Sequence, residues 1–299
     1  MAMGITVHTV NAFVDDQAGS TLGGNPAGVV LAADGLGADQ RQALAARLGL
    51  SETVFVGASA TASRRLEFFT PTQQIAHCGH ATIAAFWLMQ HLGQLPGGVH
   101  SKETVDGNRA ILIEGTRVAM EQRAPTYTEL AAGTQLQQLL DALQLQADDL
   151  IAGPPPAVVH TGNAFLVVGV RSRECLAAIQ PRLERIHHLS DAHDLIGLYV
   201  FCLQPDMPGR HAAARMFAPR YGINEEAATG MAAGPLACWL HDRLGMAQSR
   251  FVLEQGRLMP HPSPSLINVS LDIGSSGIER LWAGGTARLT QTQQLSLDS

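Results

Sequence analysis

The stretch Gly24-Asn-Pro-Ala-Gly-Val-Val30 returns later in the chain as Gly162-Asn-Ala-Phe-Leu-Val-Val168. One such match carries little weight, because small apolar residues pair up easily. The landmarks that follow it carry more. Phe68-Phe-Thr-Pro71 precedes Gly79 and an apolar segment closing on His91-Leu-Gly93, while Met216-Phe-Ala-Pro219 precedes Gly230 and a segment closing on Arg243-Leu-Gly245. The order is the same both times, so the chain reads as two similar halves.

Within each half the periodicity is that of short strands around few helices. Residues 39–48 place Leu and Ala at three- and four-residue spacing, the pattern of an amphipathic helix. ETVFV (52–56), RLEFF (65–69) and RAILIEG (109–115) read as strands of the first half. FLVVGV (165–170), LYVFCL (198–203), AARMFA (213–218), RFVLEQ (250–255) and LINVSL (266–271) play that part in the second. One long apolar helix per half predicts an α+β fold: two pseudo-symmetric domains, each a strongly curved mixed β-sheet, barrel-like, wrapped around a central helix. Pro125 and the run Pro154–Pro156 bracket a segment rich in Gln and Leu, which puts the domain boundary there. The expected domains are 1–123, joined by a C-terminal strand near 288–299, and 124–287. Equivalent loops of two facing domains would frame a cleft holding the active site.

Composition narrows the function. The 299 residues are 46% hydrophobic and 15% charged with a net charge of -6, a globular balance without the basic runs that nucleic acid or an anionic membrane would need. The N-terminal residues lack a basic-then-apolar leader, and no apolar run reaches the roughly 18 residues of a membrane span, so a cytoplasmic protein is expected. Four scattered cysteines suggest reduced thiols. Lys102 is the only lysine, set in the Gly- and His-rich stretch PGGVHSKETV, which reads as a loop. A P-loop is therefore absent, a buried Schiff-base lysine is not expected, and no Gly-x-Gly-x-x-Gly offers a nicotinamide site.

Both long apolar helices are expected to open at a glycine turn, His77-Cys-Gly-His-Ala-Thr82 and Glu225-Glu-Ala-Ala-Thr-Gly230. Backbone N–H groups at such a start suit a carboxylate, although each glycine alone is also what an ordinary helix start uses. A metal reading would draw on His77, Cys78 and His80, but no Cys-x-x-Cys completes the set, and the nearest further histidines in pattern are His187, His188 and His193. No metal is expected. A thiol reading has physics behind it, since a helix N-terminus favours thiolate at Cys78. Paired thiols fail, because Ala228 and Thr229 stand where the second cysteine would be. Acid/base chemistry needs a carboxylate, and Glu52 interrupts GLSETVFV where a helix gives way to an apolar strand. A carboxyl group beside buried apolar surface is pushed toward neutrality, which suits proton abstraction and return. A glutamate on an edge strand facing water fits the same pattern.

VNAF, GNPAGVVL, LSETVFV, EFFTPTQQIAHCGHATIAAF, RMFAPRYGINEEAATG and EQG, in this order over nearly the whole chain, resemble the PhzF-like isomerases of phenazine biosynthesis. The resemblance implies the diaminopimelate-epimerase-like fold, no cofactor, commonly a homodimer, and a small acidic (carboxylate) substrate. The best-known member moves a proton between carbons of a dihydro-hydroxyanthranilate. Carried over by motif, Glu52 is the acid/base and His80 assists it. Gly79, Thr229 and Gly230 supply backbone donors for substrate, with Ser51 and Cys78 beside them, and Glu226 orients the substrate. The second motif departs from the family: Glu225-Glu226-Ala227 stands where Glu-Asp-Pro is usual, and Met231 where serine or asparagine is common. Glu226 is one methylene longer than aspartate, so its carboxylate must fold back or meet the substrate from a different place. These changes point toward YddE-like members rather than the phenazine substrate. The rival expectations are a Cys78/Glu52 epimerase or racemase, and a metabolite-binding protein without turnover.

Overall fold

Strand β1 (Gly4–Ala12) buries alternate residues, Val7 and Val10 among them, and pairs antiparallel with β2 (Asn25–Val30), the strand that carries the opening motif. Gly24 begins that motif at φ +90, where an added Cβ would lie 2.6 Å from the Ala12 carbonyl oxygen, so both the turn and the close approach require glycine. The computed structural model describes residues 4–17, 19 and 23–296 and divides into two compact units.

The first unit, Met1–Asp16, Gly23–Glu121 and Gly284–Ser299, continues through α1 (Ala38–Leu48), β3 (Thr53–Gly57), β4 (Arg64–Phe69), β5 (Gln74–Ile75), α2 (Gly79–His91), β6 (Gly98–Thr104), β7 (Gly107–Glu114) and most of β8 (Arg117–Arg123). In α2 every residue from Gly79 to Met89 is buried. A helix apolar all round must be enclosed, and α2 packs against β1, β2, β3 and β7 of the sheet that curls about it.

The second unit, Gln17–Leu22 and Gln122–Ala283, contains β9 (Thr126–Glu129), α3 (Thr134–Leu143), β10 (Ala157–His160), β11 (Ala164–Gly169), α4 (Arg173–Ala178), α5 (Leu183–Ala192), β12 (Gly197–Cys202), β13 (Ala212–Ala218), β14 (Ile223–Glu226), α6 (Gly230–Asp242), β15 (Arg250–Gln255), β16 (Ser265–Gly274) and most of β17 (Gly277–Gly285). Its enclosed helix is α6, packed on β10, β11 and β16. Leucines of α3, α4 and α5 form a separate apolar layer on β11, β12 and β13. The last strand, β18 (Ala287–Ser296), belongs to the first unit and pairs antiparallel with β1. Residues 297–299 of the expected C-terminal strand lie outside the described residues.

The pairing rules repeat. β2–β3 is parallel, β3–β4 and β4–β5 antiparallel, β4–β6 parallel and β6–β7 antiparallel; β11–β12, β12–β13, β13–β14, β13–β15 and β15–β16 follow the same sequence. The expected α+β architecture is therefore present in both halves.

One expectation needs correction. The stretch around Lys102 is not a loop but strand β6, in which Lys102 and Thr104 point inward while their neighbours are more exposed. Lys102 is fully buried. Glycine and histidine composition suggested a loop, but pairing with β7 along the full strand overrides it. No helix among the described residues is long and apolar enough to cross a membrane.

Candidate active site

Glu52 is placed by its neighbours in the chain. Helix α1 ends at Gly49, whose φ of +64 lets its N–H close on the Ala45 carbonyl, and four residues later the chain enters β3. The Gly28 N–H donates to the Glu52 carbonyl at 3.0 Å, tying the start of β3 to β2. Since β3 lies between β2 and β4, it is an interior strand, which removes the water-facing edge alternative. Glu52 is 5% exposed, whereas Ser51 is exposed and outside the cluster.

The Glu52 carboxylate meets the first turn of α2. Its Oε2 lies 3.3 Å from His80 Nε2, and the other ring nitrogen, Nδ1, lies 3.5 Å from Cys78 Sγ. The imidazole thus bridges a carboxylate and a thiol, all three buried. Cys78, in extended conformation, caps the helix ahead of Gly79. Burial pushes its thiol above the ordinary range, with the Glu52 charge adding to the rise, against opposing pulls from His80 and the Ala81 amide. This corrects the thiolate expectation: the helix start does favour the anion, but complete desolvation outweighs it.

Behind the turn stands a second layer. Thr82 Oγ1 donates to the Cys78 carbonyl at 2.6 Å and accepts from Lys102 Nζ at 2.8 Å. Lys102 Nζ also lies 3.0 Å from His77 Nδ1 and 5.2 Å from the centre of the Phe68 ring. Burial pulls the lysine down to about 7. It also holds His77 well below its usual value, with the neighbouring Lys102 charge adding to it, so the imidazole is neutral and accepts the lysine's hydrogen bond. His77 is therefore turned away from any ligand set with Cys78 and His80. The donor atoms that do cluster are those of Glu52, Cys78 and His80, within 4.8 Å of one another. That number would serve a catalytic zinc, but His80 addresses its two neighbours through opposite nitrogens, so one ion reaches both only if the ring turns. His187, His188 and His193 belong to α5 and its end in the second unit.

The second unit builds a different set at the start of α6. The Thr229 hydroxyl donates to Glu226 Oε2, so the longer carboxylate does fold back onto the helix start. Gln255 braces the turn: its Oε1 accepts from the Thr229 N–H at 3.1 Å and from the Tyr199 hydroxyl at 2.9 Å, and its Nε2 donates to the Glu226 carbonyl at 2.8 Å. Burial, and next the Glu226 charge, push the Tyr199 phenol up, so it remains a donor. Met231, half-buried, receives Asn163 Nδ2 at 3.3 Å on its sulfur. Gly256 follows at φ +80, where a Cβ would lie 2.2 Å from the Ser263 carbonyl oxygen and 2.7 Å from that of Ala227. Glu254, buried and held by Arg210 at 2.6 Å, pins the other side. The landmark Glu-Gln-Gly thus has a physical meaning.

Of the residues singled out in sequence, Glu52, Cys78, Gly79 and His80 come together in the first unit, and Glu226, Thr229 and Gly230 in the second. Lys102, Thr82 and Gln255 were missed as site residues. The signal for Gln255 was its place in a motif. For Lys102 the local sequence carried none, because its inward place in β6 is set by pairing with β7.

The duplicated sheet, curled in each half about one enclosed helix, is the diaminopimelate-epimerase-like fold. The family model for phenazine biosynthesis-like proteins, PhzC-PhzF, matches residues 10–291, and the chain belongs to that family. The uncharacterized isomerase YddE of Escherichia coli K12 is 30% identical over 289 residues, covering 94% of this chain and 95% of that protein. The trans-2,3-dihydro-3-hydroxyanthranilate isomerase of Pseudomonas chlororaphis is 33% identical over 264 residues, covering 84% and 86%. Among solved structures, a Bacillus anthracis phenazine biosynthesis protein of the PhzF family matches with a TM-score of 0.88 at 25% identity, covering 98% of this chain and 99% of that one.

Proposed function

We propose that the protein moves a proton between two carbons of a small carboxylate-bearing substrate, without a cofactor, and that Glu52 is the group that takes and returns it. The carrying observation is the Glu52–His80 pair at 3.3 Å, both side chains buried, at the helix start. The carboxylate removes a proton from a carbon whose carbanion is delocalised over a conjugated system, and delivers it two carbons along on the same face. His80 orients Glu52 and stabilises its charge, in surroundings where fixed dipoles act more strongly than in water. The Gly79 turn offers backbone donors to the substrate carboxylate. Glu226, Thr229 and Gly230 are assigned substrate orientation; the catalytic assignment rests on the first unit alone. The substrate named for the Pseudomonas chlororaphis relative is the first compound to offer, followed by other small unsaturated carboxylates.

A second reading, an epimerase with Cys78 as the partner acid, draws on the 3.5 Å contact between Cys78 and His80. Turnover in heavy water separates the two. The proposal predicts deuterium uptake into substrate or product that is abolished by Glu52→Gln and persists in Cys78→Ala; uptake undiminished in Glu52→Gln would falsify it, and loss in Cys78→Ala with inversion of a stereocentre would favour the epimerase.

A further inference from the structure

The only lysine of the chain is wholly buried and lies next to the first turn of α2. Its hydrogen bonds go to two neutral groups, the Thr82 hydroxyl at 2.8 Å and the His77 ring at 3.0 Å. No carboxylate among the described residues forms an ion pair with it. The surroundings offer a cation little else. Phe68 of β4 presents its ring, Arg109 of β7 adds like charge, and Asp106 in the turn between β6 and β7 and the Cys78 sulfur are the groups whose negative charge would favour it. The helix start itself is the positive end of a dipole. A buried cation without a counter-ion is strongly unfavourable, and folds seldom keep one that only fills space.

We infer that Lys102 is a positioning residue for a substrate carboxylate: through Thr82 and the Cys78 carbonyl it sets its amine behind the first turn of α2, and an anion bound at that turn supplies the missing counter-charge. The inference rests on the carboxylate-binding reading above. Thr82 relays the effect, because its hydroxyl accepts from the lysine while donating to the carbonyl of the capping residue. Burial draws the empty protein's lysine down to about 7, so near neutral pH the bound anion and the proton arrive together. By linkage, whatever factor the anion adds to proton affinity, protonation adds to anion affinity.

A single lysine makes the test direct. Labelling with 13Cε,15Nζ-lysine gives one side-chain signal, followed against pH in the intact protein, alone and with acetate, benzoate or 2-aminobenzoate, with benzamide as the uncharged control. The expected midpoint without ligand is near 7. 2-Aminobenzoate should raise it by about one unit, equivalent to roughly tenfold tighter binding at pH 6 than at pH 9. Lys102→Met should bind with the weaker affinity at both pH values, a pH profile that a merely structural role would not flatten. If that variant does not fold, the wild-type titration decides alone. A signal that stays at its ammonium position to pH 9 in the empty protein, a midpoint that none of the three carboxylates moves, or one that benzamide moves equally, overturns the inference. Failure of the isomerase reading would look different: no deuterium exchange, with the lysine titration still responding to carboxylates.

Discussion

The two enclosed helices begin alike and end up chemically unlike. Cys78-Gly79-His80 opens α2 and Thr229-Gly230-Met231 opens α6, each at a strand-to-helix turn in the same topological position. Around the first stand groups able to hold or move a proton: Glu52, His80, Cys78 and Lys102. Around the second, apart from Glu226 and the Glu254–Arg210 ion pair, stand neutral donors and acceptors: Thr229, Gln255, Tyr199 and Asn163. Where α2 has Thr82 under a lysine, α6 has buried Ala233 at the matching step. The two halves share the turn, and the side chains around it differ; the proposed function makes the first turn the reactive one and the second the holder.

The comparison breaks first at Glu52. Glu52→Gln keeps the shape and removes the proposed base, and turnover should fall by about 10²–10⁴-fold, measured as initial rate, whereas Glu226→Gln should act chiefly on KM. If Glu226→Gln lost as much kcat as Glu52→Gln, the division of labour between the turns would be wrong.

Gly256→Ala sharpens the second turn. The added methyl meets two carbonyl oxygens at a positive φ, so a loss of about 2–4 kcal/mol in denaturant unfolding is expected. An unchanged midpoint would show that Gln255 is not held there by the backbone.

Lys102→Met tests the first turn from behind, with an effect that changes with pH. The unfolded lysine binds its proton near 10.5, the folded one near about 7. Between those values the unfolded chain gains a proton that the folded chain refuses, so wild-type stability falls as pH drops through that window and levels off below it. The methionine variant lacks this loss. Set against its lost hydrogen bonds, a net gain of about 1–3 kcal/mol at pH 7 is expected, shrinking toward pH 10 in paired urea melts. A gain that does not vary with pH would place the cost in packing rather than charge.

The smallest effect belongs to Cys78→Ala. The thiol is held protonated by burial, so alkylation at pH 7 should be slow, and the variant should retain turnover within about threefold.

The fold was legible because periodicity and repetition act along the chain. Strands such as residues 250–255, and the apolar helices from Gly79 and Gly230, follow from local pattern and the order of landmarks. The isomerase family was legible too, since its motifs sit at turns whose geometry permits few substitutions. Lys102 was not, because composition marks a loop where pairing with β7 makes a strand. Inwardness in a strand with only two buried positions is decided by partners far off in sequence. The raised thiol of Cys78 was hidden for a related reason: desolvation depends on what covers the helix start, which no local spacing records.

The most direct test of the central claim follows the proton itself. A substrate carrying deuterium at the carbon that loses its proton should be turned over once in ordinary water, and the new carbon–hydrogen position analysed by mass spectrometry or NMR. Glu52 is 5% exposed, and the account predicts that part of its captured deuteron is returned before it exchanges with solvent, leaving a measurable share of the label at the new position. Product with no label there, formed just as fast by Glu52→Gln, would contradict it.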